Sequence, residues 1–213
     1  MMYRLRFVSL VAERLQWGRE KLLVFLAIAL FSSALLTGCG KPNPRLERLF
    51  PLFIHTTDLP SGWYRDEGGI GPRDREGEGI ISRWVQFRGV PEKEFPTVLV
   101  IQELIDYPDL DQAVRAYAEI VEEEFPVEKW TWPEQIQFES KADQFRLACV
   151  ERRIDIHGEV DERFRGSYHC TAVGRYGSII SVIYANVFKD QWLTFKDLQR
   201  LLEAADIRLA SQS

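Results

Sequence analysis

The stretch RFRGSYHCTAVGRYGSIISVIYANVF (163–188) carries the clearest structural pattern in this chain of 213 residues. Its first part, 163–176, has the composition of a β-strand, and its second part, 177–188, is a strongly apolar strand. The preceding segment FRLACVERRIDI (145–156) predicts another strand, separated from the first part by the turn HGEVDE. Consecutive strands joined by turns pair antiparallel, so these segments predict an antiparallel sheet.

The remaining patterns predict three further strands and three helices. The first of these strands begins at Trp63, after the turn DLPSGW. The others are IISRWVQFR (80–88) and TVLVIQELIDY (97–107), of which the second is more uniformly apolar, as a central strand would be. The helices cover 46–54 and 109–125, and a last helix starts at Thr194. The order helix, strands, helix, strands, helix predicts an α+β fold, a mainly antiparallel sheet with helices packed on it as a sandwich.

Two of these helices have clear start signals. Asp109 with Gln112, and Thr194 with Asp197, have the spacing of a capping box, in which side chains bind the free backbone N–H groups. The apolar residues at helical spacing are expected to face the core. They are Leu110, Ala113, Val114, Tyr117, Ile120 and Val121 in the first helix, and Leu198, Leu201, Leu202, Ala205 and Leu209 in the second.

The first 38 residues have the make-up of a signal peptide. Five basic and two acidic residues precede the almost wholly apolar run LLVFLAIALFSSALL (22–36). A membrane-spanning helix needs about 20 apolar residues, so this run is too short to span comfortably but suits the apolar region of a signal peptide. The small residues Thr37 and Gly38 and then Cys39 follow the run.

Leu36-Thr37-Gly38-Cys39 resembles the bacterial lipobox. In that class the thiol receives a diacylglyceryl group, the peptide is cut before the cysteine, and the new amino group is acylated, for example with palmitate. Two or more acyl chains anchor a protein stably. The resemblance implies a signal peptide (1–38), a linker with lipidated Cys39 (39–45) and one α+β domain (46–213) on the extracytoplasmic face of the cell membrane. The alternative is an uncleaved signal anchor with an incidental cysteine.

The net charge limits the partners of the mature chain. Five of the 27 basic and two of the 32 acidic residues lie before Cys39, which leaves 22 basic and 30 acidic residues and a net charge of −8. An acidic surface repels phosphate backbones, so no nucleic acid partner is expected. The expected partners are the membrane, through the lipid anchor, and an unidentified protein or small-molecule ligand.

Two cysteines remain in the mature domain, Cys149 and Cys170. An even pair in an exported protein predicts a disulfide. If the hairpin is symmetric about its turn, with Gly158 opposite Asp161, the two cysteines stand directly across from each other, within the separation that a disulfide accepts. The alternative is two free thiols that act as small core hydrophobes.

Several of these elements together resemble the PsbP/LpqN-like sandwich proteins, a group of small exported bacterial and plastid domains. The residues that carry the resemblance are TTDLPSGW (56–63), the DQAVRAYAEI helix, the CVERRID and YHCTAVGRYGSIISVIY strands, and the C-terminal LQRLLEAADIRL helix. The resemblance covers 46–209 and implies a non-enzymatic role, since many such domains are accessory or ligand-sensing. The group has no shared catalytic residues to carry over.

No catalytic, cofactor or metal motif accompanies these elements. His55, His157 and His169 belong to no nucleophile pattern, and they complete no zinc-ligand spacing with the cysteines. The glycine-rich segment 68–79 lacks the following helix and the lysine of a phosphate loop, and also the closing glutamate of a calcium loop, so it predicts a solvated turn. We therefore expect no enzyme activity, no cofactor and no metal site.

Trp130 and Trp132 in the segment KWTWP are the candidate binding residues. They alternate, so both would point the same way in an extended segment, and Pro133 keeps that segment at a sheet edge. Exposed tryptophans could stack on sugar rings or anchor a partner protein; the alternative is that they cover the end of the sheet as core. Two functional classes follow: a membrane-tethered ligand-binding or sensor domain, and an accessory lipoprotein that scaffolds an envelope complex.

Overall fold

A computed structural model gives the fold over residues 43–71, 79–89, 98–126, 130–152, 166–190 and 192–212. The predicted signal peptide 1–38, the lipobox cysteine Cys39 and the hairpin turn 157–162 lie outside these described residues. The segment Pro44–Ser213 forms one compact unit. None of its described helices is long and apolar enough to cross a membrane.

The described part of the chain contains three α-helices, six strands and two short 3₁₀ turns. The helices are α1 (Pro44–Leu49), α2 (Leu110–Glu124) and α3 (Phe195–Ala210). The strands are β1 (Tyr64–Gly71), β2 (Ile81–Arg88), β3 (Leu99–Asp106), β4 (Gln144–Arg152), β5 (Ser167–Tyr176) and β6 (Ile179–Phe188). The 3₁₀ turns, Phe50–Leu52 and Thr56–Asp58, lie between α1 and β1.

The six strands form a single antiparallel sheet in the order β1-β2-β3-β6-β5-β4. β3 and β6 lie at its centre, where both faces are covered, and this position accounts for their almost continuous apolar sequences. β1 and β4 are the edges. The predicted α+β class with an antiparallel sheet is confirmed.

The hairpin of β4 and β5 has the register that the sequence predicts. Cys149 stands opposite Cys170, and residues 144–152 pair in order with 167–175. The Cα atoms of the two cysteines lie 4.1 Å apart and their sulfurs 2.04 Å apart. The distance between the two sulfurs is that of a disulfide bond, which confirms the predicted pairing of these cysteines.

Each face of the sheet carries its own apolar cluster. The first lies between the sheet and α1, the 3₁₀ turns and α3, and the five α3 residues of the predicted stripe are all buried in it. The second lies beneath α2, which contributes Ala113, Tyr117 and Ile120 and packs on β5 and β6. Helices therefore cover both faces of the sheet.

Two residues of the predicted α2 stripe do not face the core. The exposed fractions of Leu110 and Val114 are 53% and 40%. Leu110 is the first helical residue, and Val114 lies one turn later on the same side of the helix. The contact stripe of α2 is therefore narrower than its apolar sequence predicts.

α1 begins at Pro44, so two residues that the sequence assigns to the linker are helical. Proline is tolerated at the first helical position because its missing N–H would have no helical partner there. Arg45 and Arg48 bind the fully buried carboxylate of Asp106 at the end of β3, with N–O distances of 2.8 and 3.0 Å. Arg45 also donates to the carbonyl of Gly79. This arginine clamp, formed by Arg45, Arg48 and Asp106, fastens the start of the domain to a central strand.

β1 extends into the glycine-rich segment that the sequence predicts to be a turn throughout. Ile70 pairs with Val85 and Gly71 with Trp84, after a shift of register that begins at Arg65. A bulge of this kind bends a strand, and glycine is well suited to it. The prediction was wrong for 68–71, and residues 72–78 lie outside the described part of the chain.

Candidate functional site

The segment 130–136 runs along the edge of the sheet beside β4. Thr131 and Cys149 form a bridge in which each N–H donates to the other carbonyl, at 3.1 and 2.8 Å. Pro133 has no N–H, so the pairing cannot continue. The chain turns instead, and the N–H of Ile136 donates to the carbonyl of Pro133 at 3.0 Å. The segment therefore has the edge position that the sequence predicts.

Trp130 packs into the apolar cluster beneath α2. Its ring centroid lies 5.3 Å from that of Phe125 and 5.8 Å from that of His169, both edge-on. The guanidinium of Arg146 lies 4.5 Å above the Phe125 ring and extends the same group. Trp130 is therefore a packing residue of this cluster.

Trp132 does not pack into the cluster beneath α2, and its side chain is 45% exposed. Its Nε1–H donates to the carbonyl of Ile136 at 3.2 Å, and its ring lies 6.4 Å from that of Phe145, which packs with the first cluster. The two tryptophans therefore serve opposite faces of the sheet, and the expectation that they point the same way was wrong. Only Thr131 of this segment is paired with β4, and the indole of Trp132 is held instead against the following turn by its bond to Ile136.

Trp132 borders an open groove of about 420 Å³, a size typical of small-molecule sites. We call it the Trp132 groove. It lies between the segment 131–135, the paired strands β4 and β5, and the first residue of α3. Three aromatic side chains line it, namely Trp132, Tyr168 and Phe195, together with the polar side chains of Thr131, Glu134, Gln135 and Glu151.

The walls of the Trp132 groove are held by independent contacts. The rings of Tyr168 and Phe195 lie 5.1 Å apart at a tilt of 56°. Tyr168 is also the cross-strand partner of Glu151, next to the paired cysteines. The predicted capping box is present, since both the N–H and the hydroxyl of Thr194 donate to Asp197, and it fixes the start of α3 at Phe195. The groove is thus largely preformed.

The histidines that the structure describes do not line this groove. His169 lies on the other face of the sheet, where its ring stacks on Tyr184 and its Nδ1 lies 3.1 Å from Oδ1 of Asn186. His55 is exposed and precedes the second 3₁₀ turn. His157 lies outside the described residues.

A buried carboxylate, Asp206, supports the chain that leads from the groove to β4. It accepts hydrogen bonds from the Ser140 hydroxyl at 2.7 Å, the Lys141 backbone N–H at 3.0 Å and the Tyr176 hydroxyl at 2.8 Å. Burial, together with the bond to Asp206, raises the pKa of Tyr176 far above its ordinary value of 10. Sequence reasoning did not find this residue; the available signal was a carboxylate next to Ala205, inside the apolar stripe of α3.

A second carboxylate joins the DLPSGW motif (58–63) to α3. Arg208 contacts Asp58 through two nitrogens, at 2.8 and 2.9 Å. Burial alone would raise the pKa of Asp58, but the hydrogen bonds from Arg208 and from the backbone of His55 outweigh it and lower that pKa. The motif therefore attaches the second 3₁₀ turn to the last helix.

Within the residues that the structure covers, no group of three or more His, Cys, Asp or Glu side chains could hold a metal ion. Comparisons with models of protein families, with curated proteins and with solved structures find no match for this chain. The lipobox-like sequence at 36–39 and the Trp132 groove are the features on which a proposal of function can be built.

Proposed function

We propose that this chain is an exported lipoprotein, anchored through Cys39 after removal of a signal peptide, whose domain binds a ligand in the Trp132 groove without transforming it. The observation that carries the binding role is the exposed, fixed indole of Trp132 at the border of a preformed groove. A large aromatic face held in water at such a place gains free energy when a ligand covers it.

The proposed location at the membrane rests on the N-terminal sequence. The basic flank, the apolar run of 15 residues and the small residues before Cys39 support lipidation and export. The resemblance to PsbP/LpqN-like proteins supports a binding role, because many of those domains are accessory or ligand-sensing.

A non-catalytic role is supported by the chemistry of the groove lining. A general acid or base at neutral pH is most often histidine. The one described histidine near this part of the sheet, His169, packs on the opposite face between Trp130 and Tyr184. The polar groups of the groove instead suit recognition through hydrogen bonds and charge.

The structure also gives the separation between the groove and the first helix of the domain. The arginine clamp holds α1 beside Asp106, at one end of β3. Cys149 in the groove lies level with Val100, near the other end of β3, through the ladders of β5 and β6. Six residues of strand correspond to about 20 Å, so the groove lies away from α1.

Replacing Cys39 by serine tests the anchor. The full chain should partition into the membrane fraction, lack residues 1–38 and carry the mass of acyl chains, whereas Cys39→Ser should lose all three properties. Ser33→Ala, in the signal segment but outside the lipobox, is the control and should behave like the unchanged chain. Unaltered mass and membrane retention in Cys39→Ser would contradict lipidation.

Thermal unfolding of the full chain against a panel of small molecules tests the binding role. The panel contains neutral sugars, organic acids, amino acids and organic amines. A ligand at about 100 times its Kd stabilises the folded state by about 2.7 kcal/mol, which raises Tm by several degrees. The shift should disappear in Trp132→Ala and persist in Leu110→Ala, an exposed apolar residue on α2.

The alternative role, an accessory protein that scaffolds an envelope complex, gives a different result in the same experiment. No compound would shift Tm, and partner proteins would be recovered equally with the unchanged chain and with Trp132→Ala. That combination would overturn the proposed binding function of the groove.

A further inference from the structure

We infer that the Trp132 groove binds a neutral sugar, with one face of the sugar ring on the indole of Trp132 and its hydroxyl groups on the polar side chains around it. The inference rests on the proposed binding function and names the chemical class of its ligand.

The indole of Trp132 is the first observation. Its one polar group, Nε1–H, already donates to the carbonyl of Ile136 at 3.2 Å. The ring therefore offers a ligand an apolar surface and no further donor. The rings of Tyr168 and Phe195, which pack against the first apolar cluster, extend this surface within the groove. A ligand that matches this part of the lining has an apolar face.

The polar side chains of the lining are the second observation. Four of them make no hydrogen bond within the described part of the chain, namely those of Thr131, Glu134, Gln135 and Tyr168. The two hydroxyls and the amide both donate and accept, whereas the carboxylate accepts only. A ligand that only donates or only accepts would leave part of this set unpaired once water is excluded, which is unfavourable. Ligand hydroxyl groups match the set, because each of them can donate or accept.

The charges of the lining do not favour an ionic ligand. Glu134 is exposed to water and Glu151 already has an interaction partner, so neither carboxylate selects a cation. The described residues that border the groove include no lysine, arginine or histidine, so an organic acid or a phosphate would find no opposite charge among them. A neutral ligand meets both conditions.

An extended peptide fits the groove less well than a sugar. A peptide that adds to the edge of a sheet binds through free backbone N–H and C=O groups. At the groove the N–H and the carbonyl of Cys149 are both bonded to Thr131, so the edge of β4 is already paired at this level. The ligand is therefore recognised through side chains.

A pyranose ring combines the required properties in one small molecule. The C–H groups make its ring faces apolar, and the hydroxyl groups lie around its rim. One face covers the indole while the hydroxyls pair with the polar side chains, which is the division of roles usual in small-molecule sites.

Ligand-observed NMR titration of the full chain tests the inference. The chain is held in a polyoxyethylene detergent, which carries no sugar. The ligands are methyl β-D-glucopyranoside, methyl β-D-galactopyranoside and N-acetylglucosamine, with sorbitol as the acyclic control. At least one of the sugars should bind about tenfold or more tightly than sorbitol, because an acyclic polyol has the hydroxyls but no ring face. Magnetisation transferred from the protein should be strongest at the C–H protons on one face of the bound sugar.

Substitutions in the groove separate the two contributions. Trp132→Ala should weaken sugar binding by about tenfold or more, and Trp132→Phe by less, since it keeps an aromatic face. Glu134→Ala/Gln135→Ala should weaken it by about tenfold through lost hydrogen bonds. Gln137→Ala/Glu139→Ala is the matched control, since it removes the same two groups from exposed positions of the same segment outside the lining and should leave binding unchanged. The Tm of each variant shows that it is folded.

The remaining outcomes overturn the inference in distinguishable ways. Equal binding of the sugars and sorbitol, both dependent on Trp132, would keep the binding function and reject the ring. Sugar binding that persists in Trp132→Ala and in Glu134→Ala/Gln135→Ala would place the sugar outside the groove. Failure of all the sugars, while another compound of the panel binds through Trp132, would reject this ligand class alone. Failure of every compound would reject the binding function as well.

Discussion

The hydroxyl of Tyr176 donates a hydrogen bond to Oδ1 of Asp206 at 2.8 Å, and this bond joins the end of β5 to α3. The same carboxylate holds Ser140 and Lys141. Residues 137–143 connect the segment of the Trp132 groove to β4, so the bonds of Asp206 fix this connection to α3.

Removing this hydroxyl should destabilise the domain. We expect Tyr176→Phe to lower the free energy of unfolding by about 2 kcal/mol, since hydrogen bonds to charged groups contribute in this range. Urea unfolding followed by circular dichroism measures the change. Tyr64→Phe, at a tyrosine that is 44% exposed, is the matched control and should change stability by less than about 0.5 kcal/mol. Equal effects of the two substitutions would contradict the role of the pair.

The raised pKa of Tyr176 gives the same pair a pH dependence. The unfolded chain loses this proton near pH 10, whereas the folded chain keeps it to higher pH. The contribution to stability is therefore complete below about pH 10 and is lost progressively as the pH rises above that value. Between about pH 9.5 and 11, a range around the ordinary tyrosine pKa of about 10, the Tm of Tyr176→Phe should fall less steeply than that of the unchanged chain. Parallel curves would exclude the linkage.

The Cys149–Cys170 pair should stabilise the hairpin by a moderate amount. The sequence separation is 21 residues, for which the chain-entropy model gives about 3 kcal/mol. Because the hairpin already restricts the unfolded chain locally, we expect Cys149→Ser/Cys170→Ser to cost about 1 to 3 kcal/mol. Chemical unfolding with and without reductant measures it, and alkylation with peptide mapping under non-reducing conditions detects free thiols. Full alkylation of both cysteines in the native chain would show that no bridge forms.

Replacing each of the two tryptophans of the edge segment by alanine should lower the stability by different amounts. Trp130 packs against Phe125 and His169, so Trp130→Ala should cost at least about 2 kcal/mol through lost burial. Trp132 is 45% exposed, and Trp132→Ala should cost about 1 kcal/mol or less. Thermal or urea unfolding of the two variants compares them directly. The reverse order would assign Trp132 to packing and remove the main support for the groove as a binding site.

The arginine clamp should be needed for the stability of the domain. Arg45→Ala/Arg48→Ala leaves the fully buried carboxylate of Asp106 without its cations, and breaking buried pairs is strongly unfavourable. Breaking a fully buried pair costs about 3 to 5 kcal/mol. Because the arginine side chains are partly exposed, we expect a smaller loss of about 2 to 3 kcal/mol. Arg115→Ala, on the exposed side of α2, is the control. The unfolding free energy of the double variant would match that of the control if the clamp contributed nothing.

The parts of the fold that the sequence predicted are those with a local or symmetric cause. The cap of α3 needs only Thr194 and Asp197 three residues apart, and the register of β4 with β5 is the one predicted by pairing the two strands symmetrically. The apolar stripe of α3 is likewise a periodicity within one helix. Each of these depends on residues that are close in sequence or related by a simple pairing rule.

The parts that the sequence did not predict depend on contacts between distant segments. Leu110 is an apolar residue of the kind found in cores, but its side chain is exposed and makes no buried contact with the sheet. Trp132 packs beside Phe145 and bonds to Ile136 rather than joining Trp130. Phe195, 63 positions further along the chain, completes the groove beside it. Asp206 becomes a buried acceptor only when Ser140 and Tyr176 fold onto α3. The periodicity of one segment gives no information about its contacts with distant segments.

The attachment of α1 also determines how mechanical load enters the domain. The arginine clamp ends on Asp106 of β3, a strand with neighbours on both sides, β2 and β6. An edge strand can be peeled away one hydrogen bond at a time, whereas a central strand moves only when two ladders yield together. A pull on α1 is therefore delivered to the interior of the sheet, where β3 is hydrogen-bonded on both sides.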